Sequence, residues 1–272
     1  MKRTKYYFSA VLCGIFMILV NVDKTNGTLF SEIVLSVSYH QYVLTIDNTG
    51  CYDKLITCFL PSVIFQIIAG TEIYRHFCSS SVYYFSRCCN RKRWFFKESL
   101  TLYFLTLQFY IVFLLSYTVM LSLICSVKID DGSIILAVYY IIIFSLWNFA
   151  FSLLINVLSI FFKSHGGFSI SIGIQLFFSM LYIAFESIIV KIYDGDAKAE
   201  LILKAIPFSH LFIGWHSSTS GEINSIINIL NMNFDLNFSV LVLFLFAVLT
   251  VIFGIIVIER TDFICSNKES GG

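Results

Sequence analysis

Residues 72–100, EIYRHFCSSSVYYFSRCCNRKRWFFKESL, lie between two long apolar runs and carry six of the eighteen basic residues: Arg75, Arg87, Arg91, Lys92, Arg93 and Lys97. Only Glu72 and Glu98 oppose them. Basic loops beside membrane spans resist translocation and stay in the cytoplasm, so this stretch predicts a membrane protein and orients its neighbours. Within it, Val82, Tyr83, Tyr84 and Phe85 form an apolar knob between serines and Arg87. The knob is too short to cross a bilayer and too apolar for a solvated linker. A helix on the membrane face, open to a cytoplasmic partner, satisfies both constraints. The alternative is an aromatic, basic interface loop with no partner.

Composition agrees. The chain has 272 residues, 58% hydrophobic and 13% charged, about half the charged fraction of a soluble domain. Twenty-nine Phe and two Pro suit long lipid-facing helices with few breaks. The expected fold is all-α, a single polytopic domain over residues 1–272 with six spans near 6–22, 55–73, 100–127, 134–162, 168–190 and 238–258. Runs 100–127 and 134–162 contain no charge. Both exceed the ~20 residues that cross a bilayer, so tilt or extension beyond the lipid is expected. Lys163 to Gly167 (KSHGG) reads as a tight turn whose paired glycines end one helix and free the chain for the next. The apolar run after the basic leader at residues 1–5 lacks a small-residue cleavage site and reads as an uncleaved first span.

Six spans starting inside put both termini in the cytoplasm. Twelve basic residues then lie inside: Lys2, Arg3, Lys5, the six of the central loop, Lys163, Arg260 and Lys268. Six lie outside: Lys24, Lys54, Lys128, Lys191, Lys198 and Lys204. The bias runs in the required direction.

Site motifs are mostly missing. The chain has no phosphate-binding G-x-x-x-x-G-K-[ST] run, no His-Glu-x-x-His, no Gly-x-Ser-x-Gly and no paired intramembrane carboxylates. No catalytic residue, no metal ligand set and no nucleic-acid partner is expected. His210 and His216 stand six residues apart, which on one helix would not share a face. Cys51 and Cys58 are the one cysteine pair predicted outside and form the candidate disulfide. Glu72 closes the second span with Arg75 one turn away, a candidate structural ion pair. Asn148, Asn156 and Gln175 read as hydrogen-bonding glue between helices. Residues 206–216 are apolar but about half the length of a span; two short re-entrant helices fit, with Pro207, His210 and Trp215 as an outer gate and Trp215 at the lipid–water boundary, and the alternative is a compact outer loop packed on its own side chains.

The order of these parts resembles the permease subunit of a type-2 ATP-binding-cassette (ABC) exporter. Span two closing on Gly70-Thr71-Glu72, the segment Ser79 to Ser86 where a coupling helix should lie, the Pro207-bearing outer segment and the charged exit Glu259-Arg260-Thr261-Asp262 carry the likeness. The Arg87-to-Arg93 run departs from it, because many members have a proline before the arginine. The resemblance implies an exporter half without its motor, in the bacterial plasma membrane. Two copies of a cytoplasmic ATPase, holding ATP and Mg, would dock at Val82, Tyr83, Tyr84, Phe85 and Arg87. A second permease subunit would complete a homodimer or a related heterodimer, in contact with membrane lipid. Small permeases of this kind also resemble those of peptide-antibiotic and bacteriocin export or immunity. Export of a lipid or drug-like compound, or a scaffold or sensor role without transport, are the alternatives.

Overall fold

A backbone in hydrocarbon closes its hydrogen bonds within helices, and helix is the only regular secondary structure among the described residues of the computed structural model. Those residues are 4–21, 29–38, 48–80, 90–184, 197–228 and 233–261. In chain order they form α1 (Thr4–Asn21), α2 (Phe30–Val37), α3 (Asn48–Ala69), α4 (Glu72–Ser80), α5 (Arg91–Ser122) and α6 (Ser133–Ala184). Then come α7 (Ala197–Ala205), two 3-10 turns (Pro207–Leu211 and Ile213–Trp215), α8 (Gly221–Ile226) and α9 (Leu236–Arg260). Among the described residues three helices, α5, α6 and α9, are long and apolar enough to cross a membrane.

The ends of these helices differ from the apolar runs for local reasons. The α5 helix starts at Arg91 rather than near 100, because the Asn90 side chain accepts a hydrogen bond from the Arg93 backbone N–H and caps it. Arg91, Lys92, Arg93 and Lys97 therefore belong to the helix. The second apolar run is helical from Asn48 and stops at Ala69; a turn at Gly70 and Thr71 starts α4 as a separate helix.

The α6 helix breaks at Lys163, whose φ of 61° and ψ of 174° are non-helical. Its arms, 133–162 and 164–184, fold against each other: the Ser171 hydroxyl donates to the Phe151 carbonyl at 3.5 Å. The break is one residue, not the five-residue turn expected over Lys163 to Gly167. Gly166 and Gly167 are helical, and Gly167 serves close packing. A Cβ there would sit 2.5 Å from the Ser159 backbone nitrogen, so a side chain would push the arms apart.

Contacts along the helices give their relative directions. Tyr7 donates to Gln108 at 2.9 Å and Gly14 abuts Ser116 and Tyr117, so α1 and α5 run parallel. Tyr103 meets Phe149 and Tyr110 meets Tyr140, so the first arm of α6 runs antiparallel to α5. Tyr139 donates to Asn237 at 2.8 Å and Trp147 packs on Phe246, so α9 parallels that arm. One end of the bundle thus gathers the starts of α1 and α5, the α3–α4 junction and the C-terminus of α9. It carries Lys5, Arg75, Arg91, Lys92 and Arg93, and is called here the basic end. At the opposite end, α2 meets the α5–α6 connection, where the Phe30 N–H donates to the Lys128 carbonyl at 2.8 Å and the Ser31 N–H to Asp130 at 3.0 Å. The bundle centre is aromatic, with Phe65, Phe109, Tyr110, Phe113 and Trp147 buried. Outward faces of α5 and α9 expose Phe104, Leu115, Val119, Leu241, Leu245 and Leu249.

Candidate functional site

At the basic end, α4 is amphipathic in fact as well as in pattern. Ile73 and Phe77 are buried while Arg75 and His76 are exposed. Phe77 packs on Trp94 of α5 with ring centroids 6.2 Å apart. The Asn156 carboxamide oxygen accepts from the Tyr74 N–H at 2.9 Å, so the first arm of α6 caps the first turn of α4. Its own amide donates to the Ser152 carbonyl at 2.8 Å. Glu72 pairs with Lys5 of α1, not with Arg75, whose side chain is exposed. The expected Glu72–Arg75 pair is thereby corrected: α1 brings its ammonium onto the α3–α4 junction, where Glu72 is less exposed than Lys5. Two further ties close this end. Lys92 pairs with Glu259 at 2.8 Å, and the Arg91 guanidinium donates to the Thr261 carbonyl at 3.3 Å. They join the start of α5 to the end of α9. The expected docking residues Val82, Tyr83, Tyr84, Phe85 and Arg87 lie outside the described residues.

Midway along the bundle, three fully buried amides meet. Gln66 of α3 and Gln175 of the second α6 arm donate to each other's carbonyl oxygens at 3.0 and 2.9 Å. The second Gln66 N–H donates to the Asn148 oxygen on the first arm at 2.9 Å. Reciprocal amide pairing needs side chains that both donate and accept, as Gln and Asn do. It ties α3 to both arms of the hairpin. The Asn148 Nδ2 and the Ser152 hydroxyl, one turn apart, have no hydrogen-bond partner among the described residues.

At the opposite end, the 3-10 turns fold the Pro207-bearing segment against the start of α9. Pro207 opens the first turn at a position where a missing N–H costs nothing. A kink at Phe212 (φ −85°, ψ 80°) separates the turns. It swings His216 onto the same point as His210, so the face argument from a continuous helix does not apply. His210 Nδ1 lies 2.8 Å and His216 Nε2 2.6 Å from the Ser239 hydroxyl of α9. The other ring nitrogens face backbone carbonyls, His210 Nε2 that of Lys204 at 3.2 Å and His216 Nδ1 that of Phe212 at 2.8 Å. Phe234 contacts both rings, stacked on His216 with centroids 4.2 Å apart and edge-on to His210 at 5.1 Å. Burial pushes His210 down to about 4 and His216 to about 3, against an ordinary value near 6.5.

Of the expected gate residues, Pro207 and His210 sit in this cluster. Trp215 does not face a lipid–water boundary: it is 0% exposed and stacks on Phe212 with centroids 4.1 Å apart and planes 8° off parallel. The expected Cys51–Cys58 bridge is also corrected. Both residues lie on the unbroken α3 helix, where seven residues separate Cα atoms by about 10 Å, beyond disulfide reach. The Cys58 sulfur lies buried against the Ser38 and Ser36 carbonyls, at 3.7 and 3.9 Å. Among the described residues no group of three or more His, Cys, Asp or Glu side chains could hold a metal.

Two participants carried no sequence signal. Ser239 stands in an apolar run like any other serine, and Lys5 reads as leader charge. Only the tertiary fold supplies their partners. Compared with known proteins, the chain matches no family model, no curated protein and no solved structure.

Proposed function

We propose that this chain is a six-span membrane permease subunit driven through its basic end by a separate cytoplasmic ATPase, in the manner of a type-2 ABC exporter. The observation that carries the reading is α4: an amphipathic helix set off from α3 by a turn, anchored on α5 and α6, and presenting Arg75 and His76 outward. A push on such a helix reaches α3 through the Gly70–Thr71 turn and the hairpin through Asn156. Six crossings follow if α1, α3, α5, both arms of α6 and α9 each span, and the contact directions of α1, α5, the first arm and α9 fit that alternation. The basic end then faces the cytoplasm.

The cargo in this reading is an amphipathic or hydrophobic peptide of the bacteriocin type, exported or expelled for self-immunity. Energy comes from ATP and Mg on the partner. Two ATPases and a second permease would complete the assembly, with the apolar faces of α5 and α9 available to lipid or to that second subunit.

The test is purification of the tagged chain from its native membrane, with identification of any co-purifying protein that carries a nucleotide-binding sequence and hydrolyses ATP. Replacing Tyr83, Tyr84 and Phe85 together by Ala should reduce its recovery at least several-fold while the chain stays in the membrane. A native preparation without an ATPase, or one unaffected by the triple variant, would count against ATPase docking at this loop.

A further inference from the structure

The histidine cluster is one proton short. Its four hydrogen-bond contacts are Lys204 O to His210 Nε2, His210 Nδ1 to Ser239 Oγ, Ser239 Oγ to His216 Nε2, and His216 Nδ1 to Phe212 O, with the Ile213 backbone a lesser partner of the His216 ring. Carbonyl oxygens only accept, so the two ring nitrogens facing them must carry hydrogen. In neutral rings the two nitrogens facing Ser239 are then bare lone pairs. One hydroxyl hydrogen cannot serve both. Switching either ring to its other tautomer only moves the defect, leaving a nitrogen lone pair against a carbonyl. Two neutral imidazoles and one hydroxyl supply three hydrogens for four contacts in every arrangement.

We propose that His210, Ser239 and His216 form a buried site for one proton, shared by the two rings through the serine hydroxyl. The proton adds to His210 Nδ1 or His216 Nε2. That N–H donates to the Ser239 oxygen, and the serine O–H donates to the other ring. All four contacts are then complete, and the charge-assisted ones are the stronger kind. A second proton would place two cations around one hydroxyl, so uptake stops at one. Occupancy controls how tightly the 3-10 turns hold the start of α9, because Ser239 lies on that helix and both histidines on the turns.

The surroundings set the pH range. From α7 the site meets the Lys204 carbonyl, while the Lys204 ammonium turns to Glu200 at 2.6 Å. The segment before α9 supplies Phe234, followed by Asp235, and α9 itself supplies Phe238 and Ser239. The first arm of α6 contributes no charged residue before Lys163. Among the described residues no carboxylate lies within ion-pair distance of either ring. Burial without a counter-ion opposes the added proton and the fourth hydrogen bond favours it, so uptake falls below neutrality.

The experiment is a pH titration of ring nitrogen-15 signals in nanodisc-held protein, with His40, His76 and His165 replaced by Gln. The expected result is one proton taken up per chain in a single step between pH of about 4 and 6.5, both rings moving together. Ser239→Ala, checked for folding by circular dichroism, should lower the midpoint by about one to two pH units, the worth of one charge-assisted hydrogen bond. Ser239→Thr, which keeps the hydroxyl, should restore it. His210→Gln supplies a second route, since the remaining histidine has its proton partners complete and should take up none in that window. Independent titration of the rings, neutrality of both throughout the window, or a folded Ser239→Ala protein with an unchanged midpoint would overturn the proposal.

Discussion

Single side chains in this bundle do most where a polar group is shut away from water. Gln66 and Gln175 bond each other reciprocally, so Gln66→Leu or Gln175→Leu strips its buried partner of both bonds of that pair. Each single change should cost about 1–3 kcal/mol, read as a lowered melting temperature in detergent. The double change Gln66→Leu with Gln175→Leu should cost less than the sum, because the reciprocal pair is lost only once, although Asn148 then loses its donor from Gln66; strict additivity would refute the pairing. Burial of His210 and His216 has a pH consequence of its own. Their folded-state values lie below the ordinary histidine value, so the unfolded chain binds more protons in the interval between. Stability contributed here is full above pH of about 6.5 and declines as pH falls toward 4. Thermal stability measured over that interval should fall with acid in the native chain and fall less in His210→Gln with His216→Gln. Asn148, Asn156 and Gln175 were legible as helix glue because a lone amide in an apolar run has few other uses. Ser239 was not, since nothing in its neighbours distinguishes it from a serine bonded to its own helix.

Helices were legible where hydrophobic length alone decides. The first, fourth and sixth apolar runs match α1, the first arm of α6 and α9 to within about two residues at each end. Boundaries set by other chemistry were harder to read. A cap at Asn90 carries α5 backward through four basic residues, and a single left-handed residue at Lys163 does the work assigned to five. The hairpin gives a matched test within one arm. A Cβ at Gly167 would strike the Ser159 backbone, whereas one at Gly173 meets nothing within 4 Å. Gly167→Ala should destabilise by about 1–3 kcal/mol through overpacking. Gly173→Ala should be neutral or stabilising, since alanine is the better helix former. Equal effects at the two sites would mean the arms do not pack this closely. On α4, Phe77→Ala removes a buried ring and should cost about 3 kcal/mol or more. Arg75→Ala, on the exposed face, should stay within about 0.5 kcal/mol. Thermal unfolding of the two variants separates the anchoring face from the presented one.

At the scale of the whole molecule, charge and direction have to agree. The basic end gathers Lys5, Arg75, Arg91, Lys92 and Arg93, while the opposite end carries Glu32, Asp130, Asp131, Glu200, Glu222 and Asp235 against Lys128, Lys198 and Lys204. Such a molecule should insert with the basic end inside. Class and orientation could be argued from composition and charge because lipid leaves a chain few options. The identity of cargo and partner could not, because apolar surfaces that meet lipid, a second subunit or a hydrophobic peptide use the same residues. The most direct measurement is therefore topological. In a cysteine-free chain, Lys163→Cys and Glu222→Cys place one exposed thiol at each end of the bundle. With a membrane-impermeant maleimide, Glu222→Cys should label in intact cells and Lys163→Cys only after the membrane is opened. Labelling of both in intact cells, or of Lys163→Cys alone, would contradict a six-span bundle with its basic end in the cytoplasm.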